Sequence, residues 1–317
     1  MYSETELNTL KNGYIDCMKS YGRIDASQEA RLNALKFHVA PQQGGYSGLY
    51  DAKINTIIIN SNYPMGEVIN QTIFHELDHA RTTFVTVDGE LSTGLWSGKK
   101  TTAFTKIPGA LAIVANQGEM LSEGVTTING ETVYRSITGT LANWKEEWQP
   151  IDGIPGTKHK VPSGLWYYKL NGNFISQIGT VLGLSDEEMC RIVDKNEAGR
   201  QELTRRFEEL TGDKDYFQNL EFSMDYVATV AKYLLIDKPI NNETIKECSD
   251  KIETAQLEIY GVLPKAYARN MISPLEFEKR ARSVAARATL PELESAMVEH
   301  SDNVLRATRT TTPPRRR

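Results

Sequence analysis

Residues 72–80 read TIFHELDHA, and within them His75, Glu76 and His79 form an HExxH pattern. On an α-helix His75 and His79 stand about 40° apart in azimuth and one turn apart in height, so their imidazoles reach a single ion. Glu76 lies about 100° from His75, close enough to address a water on that ion without binding the ion itself. With His75 at zero and about 100° per residue, Ile69, Ile73, Leu77, Ala80 and Phe84 gather on an apolar stripe that seeks a core. Glu67, Asn70, Gln71, Asp78 and Arg81 fall on a polar face, which makes Asp78 a residue expected to be solvated rather than chemical. Chance is a weak rival: with five histidines and 27 glutamates in 317 residues, the pattern arises at random in roughly 0.7% of such chains.

Outward from this segment, Ser61 or Asn62 suits a helix cap and Pro64 a first turn, so the helix is expected from about Met65 to Phe84. Upstream, the β-rich runs Tyr46–Tyr50 and Ile54–Asn60 flank a short Asp51-Ala52-Lys53 turn and predict a hairpin. Residues 1–37 read as helical, without a strong breaker before Pro41–Gly45. Downstream, residues 86–118, rich in Gly, Thr and Ser, read as loop with short pieces of structure, followed by a helix from Gln117 to Ile128 that ends near Asn129-Gly130. Residues 141–170 carry three of the four tryptophans among prolines and glycines and are expected to be irregular. From Asn171 to about Ala307 helical spacing dominates, as in Phe174, Ile178, Val181, Leu182 and in Phe222, Tyr226, Val230, Tyr233, Leu234.

Composition bounds the class of protein. With 40% hydrophobic and 24% charged residues, the chain is that of a globular protein, neither disordered nor fibrous. A net charge of −5 gives no electrostatic reason to expect a nucleic-acid or membrane-surface partner. Cys17, Cys190 and Cys248 are far apart and form no CxxC pair, which speaks for reduced packing thiols. The acidic N-terminus lacks the basic-then-apolar order of a secretory signal and no 18-residue apolar stretch occurs, so a cytoplasmic protein is expected, with leaderless export left open.

Two histidines make half a metal site. About forty residues on, EMLSEGVTT places Glu123 in a second helical pattern, and a carboxylate from a neighbouring helix is a usual completion of a His₂Glu zinc site. Glu119, one turn earlier on the same face, is the alternative. At this point the chain resembles the gluzincin group of zinc metallopeptidases, whose HExxH is followed on a later helix by a glutamate in N-E-G or L-x-E-G. The resemblance is carried by HELDHA, LSEGVTT and the strand-then-helix order before them. The chain is also similar to uncharacterised bacterial metallopeptidase-like sequences with HELxHA, a later LNEGxTE and a helical remainder.

That resemblance implies Zn2+ held by His75, His79 and Glu123, with Glu76 as general base and a peptide or protein as substrate. Ser122 replaces the common asparagine. Thr127 stands where a second carboxylate often orients a metal-binding histidine, and losing such an outer partner costs about 10–100-fold in affinity or activity. His159, Tyr167 and Tyr168 are candidate transition-state donors or outer partners, each also readable as a surface or packing residue. Two other functions stay open: a helical interaction protein on a catalytically weak or inactive zincin core, and a zinc hydrolase of a non-peptide amide or ester. The expected fold is α+β. A zincin-like part at 1–140 with a small sheet precedes an irregular segment and helical part at 141–308 and a disordered basic tail at 309–317, and the number of subunits is left open.

Overall fold

A three-stranded sheet backs the HExxH helix. Strands β1 (Lys36–Ala40), β2 (Gly48–Asp51) and β3 (Thr56–Asn60) lie in the order β1-β3-β2, with β1 parallel and β2 antiparallel to β3. The computed structural model describes residues 2–42, 47–62, 67–86, 89–95, 100–104, 112–139, 149–151, 154–157, 163–236 and 242–311. The hairpin is where the sequence places it, with Tyr50 opposite Ile57 and Leu49 opposite Ile58.

The first forty residues are not one helical run. Helix α1 (Glu4–Ser20) begins at a capping box in which Ser3 and Glu6 satisfy each other's backbone N–H groups, and α2 (Ala26–Asn33) repeats the device with Asp25 and Gln28. Residues 36–40 then pair with β3 as β1, and the long-range pairing overrides the local helical reading at its first two residues.

Helix α3 (Glu67–Thr82) carries the motif. Residues 63–66, including Pro64, lie outside the described residues. Ile69, Ile73, Leu77 and Ala80 are buried as the stripe requires, whereas Phe84 has left the helix for β4 (Thr83–Val85), which pairs with β5 (Leu91–Thr93). β6 (Lys100–Phe104) pairs with β7 (Ala112–Asn116), and α4 (Glu119–Thr138) follows.

β8 (Gln149–Ile151) and β9 (Ile154–Thr157) form a further pair, and α5 (Ser163–Leu182) starts inside the segment expected to be irregular. The remainder is helical as expected: α6 (Asp186–Val193), α7 (Glu197–Thr211), α8 (Tyr216–Ile236), α9 (Asn242–Ala268), α10 (Pro274–Ala285) and α11 (Pro291–Thr311). On α8 the buried stripe runs through Phe217, Leu220, Met224, Val227 and Ala231, so Phe222 is exposed rather than core, and the side chains of Tyr233 and Leu234 lie outside the described residues. The chain beyond Thr311 also lies outside them.

Two hydrophobic cores result, and α4 belongs to both. Its first half sends Met120, Leu121 and Val125 into a core of Phe174, Ile178, Phe207, Phe217 and Phe277. Its second half sends Val133 and Tyr134 into a core of Tyr14, Leu32, Ile57, Ile73 and Leu77. The fold is thus mixed α+β and mainly helical, and among the described residues no helix is long and apolar enough to cross a membrane. All three cysteines are buried and free.

Candidate metal centre

α3 and α4 bring His75, His79 and Glu123 together. His75 Nε2 lies 3.0 Å from His79 Nε2 and 3.1 Å from Glu123 Oε2, and His79 Nε2 lies 3.5 Å from Glu123 Oε1. The two rings meet edge to face, at 83°. Ligands about 2.0–2.2 Å from a tetrahedral ion sit about 3.3 Å from one another, and the two nitrogens and the nearer carboxylate oxygen of each pair fall at about that spacing. The group could hold a metal ion, and it is the one such cluster among the described residues.

The approach of the two helices depends on small residues. A Cβ at Gly130 would lie 3.2 Å from the backbone nitrogen of His75, so a side chain there would push α4 away from the first histidine. A Cβ at Gly124 would meet the carbonyl oxygen of Asn171 at 2.5 Å, so the glycine after Glu123 lets α5 close on the far side of α4. Asn129-Gly130 reads as a helix end in the sequence, yet α4 runs through it. Helix packing outweighs the glycine's local cost of about 1 kcal/mol. The start of α4 has no side-chain cap of its own; Asp225 on α8 accepts from the N–H groups of Gly118 at 2.8 Å and Met120 at 3.0 Å. Burial, followed by the charge of Glu221, holds the Asp225 carboxyl well above the usual carboxylate range despite these bonds.

Burial and charge compete at the ligands. Burial pulls the pKa of His79 down, but the facing Glu123 carboxylate, with help from Glu76 and Asp78, carries it up to about 9. Glu123 shows the reciprocal effect: burial raises its pKa, and the charge of His79 with hydrogen bonds from both histidines holds it well below the usual range. Without an ion, His79 therefore carries a proton at neutral pH that a cation must displace.

Glu76 is buried, and its Oε2 accepts from the N–H of Tyr50 on β2 at 2.8 Å. The strand is fastened to α3 a second time by Ser47 Oγ and Thr72 Oγ1, 2.8 Å apart.

Three residues of the polar face of α3 are not solvated: Gln71, Asp78 and Arg81 are buried, the last two almost completely, which corrects the expectation for Asp78. Asp78 accepts from Tyr14 Oη at 2.5 Å, Arg81 Nε at 2.9 Å and Asn129 Nδ2 at 2.9 Å. Arg81 reaches both oxygens of Asp194, at the end of α6, which also takes Arg23 Nη2 at 2.6 Å. Arg23 closes the ring on Asn129 Oδ1. Burial alone would raise the pKa of Asp78; the adjacent Arg81 guanidinium reverses this and holds it below the ordinary value. The network ties α3 to α1, α4 and α6 directly behind the histidines.

Glu119 points elsewhere. It is buried and accepts from Asn116 Nδ2 at 2.8 Å, Lys232 Nζ at 3.1 Å and, more weakly, Tyr167 Oη at 3.4 Å, so neither it nor Tyr167 joins the histidines. Thr127 donates to the carbonyl of Glu123 at 2.8 Å and stays within its own helix. His159 and the side chain of Tyr168 lie outside the described residues. The residues that sequence reasoning missed (Tyr50, Asn129, Asp194 and Asp225) carry no motif; their roles come from contacts across at least 26 positions. No protein-family model, curated protein or solved structure matches the chain.

Proposed function

We propose that the chain is a zinc-dependent peptidase of gluzincin type on a zincin-like core, with His75, His79 and Glu123 as metal ligands and Glu76 as general base. The observation that carries this reading is the convergence of two imidazole nitrogens and one carboxylate at the mutual spacing of a tetrahedral ion's ligands. The donor set favours zinc, since imidazole and carboxylate suit it and three protein ligands are the mark of a catalytic site. When bound, zinc supplies Lewis acidity and lowers the pKa of a water to about 7.

The rest is done by the chain. Glu76 is held through Oε2 by the Tyr50 N–H, which leaves Oε1 to take the proton of the attacking water and return it to the departing nitrogen. The Asp78–Arg81 network fixes the rotation of α3, and so the directions of His75 and His79. Glu123 approaches on α4, whose position is set by Gly130 against His75 and by the cap from Asp225.

Replacing Glu76 by Gln tests the reading. Zinc content should stay at one per chain, while cleavage of an internally quenched peptide library falls by about 10²–10⁴-fold, the usual range for a lost general base. Undiminished turnover with zinc retained removes Glu76 from the chemistry. Glu123→Ala should lower zinc affinity, and an unchanged affinity sends the search for a third ligand to His159.

One observation favours a second reading, that of a zinc-stabilised interaction protein without turnover: position 127 offers no carboxylate and its hydroxyl is spent on its own helix. Zinc binding with no cleavage of the library, and a stable protein complex, would support it. Mass spectrometry of products separates a peptidase from a hydrolase of other amides or esters.

A further inference from the structure

The edge strand β2 meets the motif helix at Glu76, the glutamate of HExxH. We propose that the backbone N–H of Tyr50 is the positioning group of the general base: it fixes one oxygen of Glu76 so that the other faces the reacting water. The inference rests on the hydrolase reading of the centre and goes beyond it by assigning a function to a strand outside the motif.

Three observations carry it. The first is the bond itself, 2.8 Å from Tyr50 N to Glu76 Oε2, made to a carboxylate that is 4% exposed. A buried carboxylate is costly unless hydrogen-bonded, so this bond stabilises a single orientation of the side chain. The second is the position of β2 at the end of the β1-β3-β2 sheet, where among the described residues the outer edge has no strand partner and can spend an N–H on a neighbouring helix. The third is the anchoring of Tyr50 itself: its hydroxyl donates to Asn55 Oδ1 at 2.9 Å, and Asn55 Nδ2 donates to the carbonyl of Arg31 on α2 at 2.9 Å. Asn55 adopts a left-handed φ of 49°, a conformation asparagine tolerates better than most residues. A continuous chain of contacts thus runs from the end of α2 through the hairpin turn to Glu76. Tyr50 enters the site through its backbone, and its ring keeps that backbone in place.

The experiment compares Tyr50→Pro with Tyr50→Ala. Both lose the ring and its hydroxyl, but only proline loses the N–H, and an edge strand accepts proline where the N–H points away from the sheet. Zinc affinity, measured by chelator competition, should match in the two variants, because neither change touches a ligand. With the quenched peptide library, kcat of Tyr50→Pro should fall about 10²-fold below that of Tyr50→Ala, with KM alike in both, as expected for a misplaced catalytic group. Equal kcat values overturn the proposal and assign any shared loss to the ring.

A second measurement needs neither metal nor turnover. Amide hydrogen exchange at Tyr50 in the metal-free protein should be slow in the wild type and fast in Glu76→Ala, since the edge N–H then loses its acceptor. Fast exchange in both would show that the bond does not persist, and overturns the proposal. A wild-type protein with slow exchange but no turnover overturns the hydrolase reading instead, and the catalytic role of the bond with it.

Discussion

Two buried polar clusters lie back to back on α3, and they differ in how their charges are balanced. Behind the helix, Arg81 and Arg23 face Asp78 and Asp194, and Tyr14 and Asn129 take up further hydrogen-bonding capacity. In front of it, two imidazole nitrogens and a carboxylate turn toward one another, with no Arg or Lys among the three. The first cluster is complete as it stands. The second is satisfied either by a proton on His79 or by a cation, and only such an unsaturated cluster is suited to chemistry. Neighbouring positions of one helix, 78 and 79, thus serve opposite ends: Asp78 fixes the helix and His79 uses the fixed position.

Breaking the complete cluster should have the largest effect. Arg81→Met leaves Asp78 and Asp194 in the interior without their shared cation, and removing one partner of a buried pair costs about 3–5 kcal/mol. Urea unfolding of the metal-free protein measures the loss; a change below about 1 kcal/mol would mean that the network does not hold α3. The front cluster should respond to metal instead. Free zinc at 100 times its Kd should stabilise the wild type by about 2.7 kcal/mol and Glu123→Ala far less at the same concentration. Equal stabilisation of both proteins would separate zinc binding from this centre.

The two clusters were unequally legible in the sequence. HExxH exposes the front one because helical geometry alone brings positions 75 and 79 to one side; a carboxylate is the ligand still needed, and the preference for Glu123 over Glu119 comes from the glycine after it and the family resemblance. The helical C-terminal half was equally plain, since apolar spacing is local. The rear cluster was hidden by the same geometry: Asp78 read as solvated on a polar face because helical periodicity knows nothing of Arg23, Asn129 and Asp194, whose contacts to α3 span 51 or more positions. β1 was missed because its signal is its pairing with β3, and the extent of α4 because Gly130 reads as a stop until His75 is seen against it. Distance in sequence, rather than weakness of the interaction, separates what could be read from what could not.

The smallest effect distinguishes the clusters by the direction in which pH undoes them. His79 has its pKa raised from an ordinary value near 6.5 to about 9 in the metal-free fold, so its stabilising contribution is fully present below about pH 6.5 and is lost as pH rises through about 9. Asp78 is displaced the other way, so its contribution is present above its ordinary value near 3.8 and is lost as pH falls through the lower folded value. Metal-free protein should therefore weaken at the front in alkali and at the rear in acid. Zinc must displace the proton on His79, so its apparent affinity should rise about tenfold from pH 7 to pH 8 and level off above about 9. Chelator competition at a series of pH values reads that slope directly. A flat profile between pH 7 and 8 would mean that no proton leaves when the ion enters, and that His79 and Glu123 do not form the charged pair that sets the front cluster apart from the rear one.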